Sequence, residues 1–387
     1  MTDNSTPNPA DADGTPHPAD GSAPHPVTTP GTGAHAPTPR LTSLSHGAGC
    51  ACKLSLDELT TILQGVSFPG HPDLLVGPST GDDAAVYRQP DGRVLVATTD
   101  FFTPLVDDPA TWGRIAAANA VSDIYAMGAT PRFALNLVGW PRDLPFELLG
   151  EVLTGAVEVA VDAGYLIAGG HSIDSAEPLF GQVVIGDTTE DAVLTNAGAR
   201  PGQALVLTKA LGTGIVTTAL KRSAPLRDTD EHTLALAYRA AVASMTRLNR
   251  DAAEVALASG ATAATDVTGF GLLGHLNRVA SASGVGATID PTTVPILPGV
   301  RELLDEGFVP GGSQRNAAQA SRYLDGTVDD VTRLLLADAQ TSGGLLFACD
   351  PPAAAAAVER LRDGGHDAAV IGAVTDARAG SVRVGSS

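Results

Sequence analysis

Two groups of residues in this chain could do chemistry. The stretch HGAGCACK, residues 46–53, sets Cys50 and Cys52 one residue apart, beside Lys53 and behind two glycines. A cysteine among small residues near a lysine fits a thiolate of lowered pKa, the nucleophilic form. The lysine could place its charge on a phosphate. A lone cysteine is more often an inert small hydrophobe, but two in a glycine loop with a lysine favour a working loop. C-x-C lacks the second Cys/His pair of a structural zinc site, although a distant histidine could complete one, and C-x-x-C redox spacing is absent.

The second group is carboxylates. Asp82 and Asp83 lie in STGDDAAVY, Asp100 ends ATTD, Asp123 follows Asn119 by four residues, and Asp266 ends AATD. A buried carboxylate must be paired or bind a cation. Hard oxygen ligands of this kind suit Mg²⁺ carrying the phosphates of a nucleotide. Each aspartate alone is more readily the cap of a turn or helix; the set points to metal and phosphate.

Strands and helices must position these groups. RVLVATTD reads as a strand ending at Asp100. DPATWGRIAAANAVSDIYAMG reads as a helix with Asp108 as N-cap, Pro109 at its first position and Gly128 as its stop; Asn119 and Asp123 then share a face. RFALNLVGW and FGQVVIGDT read as strands and FELLGEVLTGAVEVAVDAG as a helix. YLIAGGHS reads as a strand running into a glycine loop, whose free backbone N–H groups make either an anion site or a tight turn. After the polar break NAGARPGQ a second series begins with ALVLTKALGTG and ends in the strands GGLLFACD, AAVIGAVTD and SVRVG. GFGLLG, residues 269–274, formally matches a dinucleotide fingerprint, but close helix–sheet packing explains its glycines better. No P-loop motif is present. The expected fold is mixed α/β in two domains, residues 41–195 and 196–387, behind a disordered Pro/Ala/Thr-rich tail, residues 1–40.

Composition bounds the partners. The formal net charge is −19, so no basic footprint for nucleic acid exists. Three cysteines, Cys50, Cys52 and Cys349, argue against a disulfide framework and for a reducing compartment, so a cytoplasmic location is expected. No apolar run reaches the roughly 18 residues of a membrane span, and the N-terminus has no secretory signal pattern.

The motifs LTSLSHGAGCACKLS, LLVGPSTGDDAAVY, TTDFFTPLVDDPATWGRIAAANAVSDIYAMG, AGGHSID, TDVTGFGLLGHL, PGGSQRN and QTSGGLL occur in this order. Together they resemble selenophosphate synthetase (selenide, water dikinase), from about Leu41 to the C-terminus. GDDAAV alone is shared with related ATP-using enzymes such as thiamine-monophosphate kinase. The Gly-Cys-Lys loop together with TDVTGFGLLGHL separates this family from them.

The resemblance implies that ATP, selenide and water give selenophosphate, AMP and phosphate. It implies Cys50 as catalytic cysteine and Lys53 as essential lysine; the glycine-rich loop 46–53 could then close over the γ-phosphate and place Lys53 on it. Asp83, Asp123 and Asp266 would hold Mg²⁺. Thr80, Gly81, Asp82 and Asp100 would line the ATP site with Lys53 and Asp123. Gly170, His171 and Ser172 would contact ATP, within the subunit or across a dimer. The implied fold is similar to aminoimidazole-ribonucleotide synthetase, a homodimer whose N-terminal sheets form a shared barrel. Three positions depart from the pattern: Ala51 stands where glycine is frequent, Gly81 where some members have arginine, and Ala339 where proline is frequent. The loss at Gly81 implies a phosphate contact made by backbone or from elsewhere. Two rival readings are a small-molecule kinase of the same superfamily, making ADP, and a non-catalytic selenium or metal carrier.

Overall fold

The computed structural model describes residues 39–385, apart from 46, 48, 50–52, 54, 55, 64, 79, 223–225, 227 and 228. The tail expected over residues 1–40, but for its last two residues, and the loop's Cys50 and Cys52 lie outside the described residues. From Arg40 onward the chain is built on two sheets.

The first sheet takes β1 (Leu74–Val76), β2 (Ala85–Arg88), β3 (Arg93–Phe102), β4 (Thr130–Trp140), β5 (Leu166–Asp174) and β6 (Leu179–Thr189), in the spatial order β1-β2-β3-β6-β4-β5. All its pairs are antiparallel except β4 with β5. Three helices accompany it: α1 (Leu56–Leu63), α2 (Pro109–Ala126) and α3 (Phe146–Ala163). In β3 the period of two buries Val94, Val96, Thr98, Asp100 and Phe102 on one face. Two polar side chains thus share the face on which α2 packs. The strand runs two residues beyond Asp100, because Phe101 and Phe102 continue the ladder against Gly181 and Phe180.

Helix α2 begins and stops as its caps dictate. Asp108 accepts from the Thr111 backbone N–H at 2.8 Å, Pro109 opens the helix, and Gly128 at φ 70° follows it. Such a cap stabilises a helix by about 1 kcal/mol. The helix is buried nearly all round, with Ala116, Ala117, Ala118 and Ala120 among its covered positions. Small residues at its closest crossings permit this. Where α3 crosses it, a Cβ on Gly113 would strike the Val152 carbonyl, and one on Gly155 would strike the Ala110 carbonyl.

The second sheet takes β7 (Ala204–Leu207), β8 (Ala263–Asp266), β9 (Gly286–Ile289), β10 (Leu324–Asp325), β11 (Leu345–Cys349), β12 (Ala369–Thr375) and β13 (Val382–Val384), in the order β10-β13-β9-β12-β7-β11-β8. Its helices are α4 (Thr213–Arg222), α5 (Glu231–Thr246), α6 (Arg250–Ala258), α7 (Gly271–Ser283), α8 (Val300–Asp305), α9 (Gly311–Ala320), α10 (Asp330–Leu336) and α11 (Pro351–Asp363). The central strands β7 and β11 are buried at every residue, as their unbroken apolar sequences ALVL and LLFAC require. α2 also packs against α5, α6 and β8, so one helix joins the interiors of both sheets.

AGGHSID is not the glycine loop the sequence suggests. It makes up all of β5 after Leu166 and Ile167, paired in parallel with β4. The register moves by one extra residue in β5 between the pairs Ala134↔Ile167 and Asn136↔Gly170. Gly169, at φ 130°, absorbs this bulge. The glycines bend the strand without ending it.

Candidate active site

The carboxylates converge where α2 meets the end of β8. Antiparallel pairing of β8 with β11 sets Asp266 opposite Leu345. The chain then turns back, and the Val267 N–H donates to the Gly344 carbonyl at 2.8 Å. Gly343 and Gly344 allow this approach: a Cβ on Gly343 would strike the Val267 carbonyl. α2 contributes Asp123, and the segment before β2 contributes Asp83. One carboxylate oxygen from each of Asp83, Asp123 and Asp266 lies within 4.8 Å of the others.

Each carboxylate is aimed by a hydroxyl. Thr265 Oγ1 donates to Asp83 Oδ1 at 2.9 Å, and Thr98 Oγ1 donates to Asp123 Oδ2. Ser122 Oγ donates to Asp266 Oδ2 at 2.6 Å while accepting from Asn249 Nδ2 at 2.8 Å. The second oxygen of Asp83, Oδ2, is buried and has no hydrogen-bond partner among the described residues. Burial, and then the charge of Asp266, push Asp83 well above the usual carboxylate range; the same two causes raise Asp123. Asp266 is pushed up to about 6, chiefly by burial. Three acids held this close oppose one another's ionisation. A hard divalent cation relieves all three and supplies the partner Asp83 Oδ2 lacks, so these oxygen donors fit such an ion.

Beside this cluster a chain of bonds crosses the site. Lys53 Nζ lies 2.8 Å from Asp100 Oδ2. Asn119 Nδ2 donates to the same oxygen at 2.7 Å, and Asn119 Oδ1 accepts from the Ser342 N–H at 2.8 Å. Ser342 holds φ at 49°, the only non-glycine residue with positive φ among the described residues. Buried Lys209 donates to the Ser342 carbonyl at 2.9 Å and to the Arg247 carbonyl at 2.7 Å. Burial lowers its pKa to about 7. The start of the loop is clamped: Lys221 Nζ donates to the carbonyls of Ser45 and Gly47, each at 2.6 Å, and Gly49 donates to the Thr103 carbonyl at 3.4 Å.

The expected ATP-site residues divide into two groups. Thr80, Gly81 and Asp82 precede Asp83 directly; Asp82 Oδ1 accepts from the Asn196 N–H at 2.7 Å, and the Gly81 carbonyl accepts from Asn196 Nδ2 at 3.0 Å. Asp100, Asp123 and Lys53 join them around the cluster. Gly170, His171 and Ser172 lie elsewhere, exposed on the edge strand β5. No hydrogen bond or ion pair among the described residues ties them to the aspartates.

Several residues of the site are invisible to motif reading. Thr98, Ser122 and Thr265 differ from ordinary helix and strand residues only in where their neighbours fold. Arg278 on α7 is another: its Nη2 stands 2.6 Å from where a Cβ on Gly81 would lie. The one available signal is that Ser122 and Thr265 each adjoin an aspartate of the cluster in sequence.

Comparisons with known proteins give the chain's family and fold. The family described as AIR synthase related protein, N-terminal domain, matches residues 81–188, and its C-terminal domain matches residues 200–385. A selenide, water dikinase of Pseudomonas straminea is 47% identical over 341 residues, covering 87% of this chain and 93% of that protein. One from Myxococcus xanthus (strain DK1622) is 48% identical over 352 residues, covering 89% and 97%. Among solved structures, a thiamine-monophosphate kinase from Stenotrophomonas maltophilia K279a is similar with a TM-score of 0.60 at 21% identity, covering 85% of this chain and 95% of that one. The hydrogenase maturation protein HypE in complex with ATP gives 0.56 at 22% identity, covering 84% and 86%. At these identities the two structures speak for the fold alone.

Proposed function

The chain belongs to the selenide, water dikinase family, and from that premise we infer its reaction: ATP, selenide and water are converted to selenophosphate, AMP and phosphate. The observation that carries this is the 47–48% identity sustained over nearly nine-tenths of the chain. Within it, residues 41–195 would form the ATP-binding domain and residues 196–387 the C-terminal domain.

Asp83, Asp123 and Asp266 are proposed to hold Mg²⁺, on the strength of their convergence and the orphaned Asp83 Oδ2. Bound there, the ion would neutralise the triphosphate and orient its phosphates for in-line attack. Catalysis is then largely positioning and charge stabilisation. Thr98, Ser122 and Thr265 hold the three carboxylates in place through their hydroxyls. Lys53 would leave Asp100 for the γ-phosphate as the loop closes, and Asn119 would keep Asp100 hydrogen-bonded when it does. Cys50, outside the described residues, would hold or deliver selenide. Thr80, Gly81, Asp82 and Asp100 would line the nucleotide.

Phosphorus NMR of ATP incubated with the protein, Mg²⁺ and selenide tests this reading. Selenophosphate and AMP should appear together, with neither formed when selenide is omitted. ADP formed without selenide would favour the small-molecule kinase, and stoichiometric binding without turnover the carrier.

A homodimer is also proposed. β5 is an edge strand whose outer positions include Leu166, 73% exposed, and Ile173, 57% exposed. Such an edge invites pairing with another strand, and a partner there would bring Gly170, His171 and Ser172 toward a neighbouring nucleotide site. Light scattering behind size exclusion should give twice the chain mass; a monomer would remove this part. No helix among the described residues is long and apolar enough to cross a membrane; with the cysteine usage, this supports a cytoplasmic location.

A further inference from the structure

Arg278 is placed as a phosphate-binding group would be, although no catalytic motif includes it. It extends from α7 past Gly81, with Nη2, Cζ and Nε at 2.6, 3.3 and 3.5 Å from the position a Gly81 Cβ would take. Gly81 is at φ 70°, a conformation that favours glycine, and its lack of a Cβ leaves room for the guanidinium. One face of the guanidinium lies over an aromatic ring: Cζ stands 5.3 Å from the centroid of Phe270, a cation–π contact. Phe270 in turn packs on His275, whose Nε2 accepts from the Thr268 N–H at 3.1 Å. His275 is itself buried.

The guanidinium itself is not satisfied. Among the described residues it has no hydrogen-bond and no ion-pair partner. Asp83 and Asp82 act on it by charge alone. An arginine presents five N–H donors in a planar fork, and leaving them unmet in a half-buried place is unfavourable unless something else accepts. Burial lowers its pKa, with the two aspartates only partly compensating. A fork of donors held beside two carboxylates, yet bonded to neither, matches a metal–phosphate complex: Asp83, one of the metal cluster, faces the cation and the fork faces the phosphate oxygens.

We infer that Arg278 grips a phosphate of the bound nucleotide, taking the place a side chain at position 81 would otherwise occupy. This rests on the nucleotide site proposed above. It adds a ground-state contact with ATP, so its loss should appear in binding more than in turnover.

The experiment measures the Kd for Mg–ATP by equilibrium dialysis on the full chain, with KM and kcat for selenide-dependent AMP formation and the melting temperature alongside. Arg278→Met should weaken Mg–ATP binding by about 10- to 100-fold, as expected for one lost charge-assisted pair. KM for ATP should rise in proportion while kcat changes little. Arg278→Lys keeps the charge but not the fork and should fall between the parent and the methionine variant; it also serves if the methionine variant folds poorly. An unchanged Kd in either variant, or a fall in kcat with KM unchanged, overturns the inference. The dialysis needs no selenide. If the parent made ADP and no selenophosphate, the functional reading would fall while the Arg278 contact would still be decided by Kd.

Discussion

Asp266→Asn is expected to cut selenide-dependent AMP formation by about 1000-fold or more. A cation at a phosphoryl-transfer site supplies several kcal/mol of charge stabilisation, and each 1.36 kcal/mol is tenfold in rate. Asparagine keeps the shape and can still accept the Ser122 hydroxyl, now 2.6 Å from Asp266 Oδ2, so the fold should survive. The stability effect should have the opposite sign. The folded protein holds the Asp266 carboxyl up to about 6, above its ordinary value of 3.8. A carboxyl raised on folding adds stability below about pH 4 and loses that contribution as pH rises through about 6. Without metal, the parent should therefore lose thermal stability between pH 4 and 7 relative to the variant. Mg²⁺ should restore the parent at pH 7 and leave the variant where it was. Paired melting curves across pH, with Mg²⁺ or with chelator, and an assay of AMP release check both halves. Unchanged turnover in Asp266→Asn would remove Asp266 from the metal site.

Lys53→Ala should lower kcat by about 100- to 1000-fold, the usual effect of removing one preorganised charge from a developing oxyanion. The melting temperature should fall by a few degrees at most, with the protein still folded. The lysine side chain is 36% accessible while Asp100 is buried, so the melting temperature reports only the loss of one of the carboxylate's partners, a smaller effect than the loss of turnover. Asp100 also keeps its bond from Asn119. Stopped assays for AMP together with a thermal melt separate the two effects. A variant with full activity would refute the role of Lys53, and one that unfolded would show the lysine to be structural.

What the sequence shows depends on how far apart the determining residues lie. The ends of α2 are legible because Asp108, Pro109 and Gly128 act within a turn of the residues they cap. The three aspartates are legible as residue types beside strands and glycines. Their meeting is not, because it needs β8 to pair with β11 and α2 to lie against β8. AGGHSID misleads for the same reason: two glycines make a turn or a bulge, and only the register of β5 on β4 decides for the bulge. Arg278 is silent in sequence because its environment is Gly81, almost 200 positions earlier. The empty side chain at Gly81 marks a place where a cation is missing, but says nothing of where another comes from.

The crossing of α2 and α3 sets how much error the site tolerates. Gly113 precedes Asp123 by ten positions, which is about 15 Å along a helix. At Gly113 and Gly155 each helix backbone rests against the carbonyls of the other, with no side chain between to yield. A single added methyl there could not be absorbed locally; it would displace α2 as a rigid rod. Asn119, Ser122 and Asp123 would travel together, away from Asp100 and Asp266. Misplacing a reacting group by 1 Å can cost about 100-fold in rate. Gly113 and Gly155 thus act as a calibration point remote from the chemistry, and drift in sequence there would end catalysis while every catalytic side chain stayed in place by name.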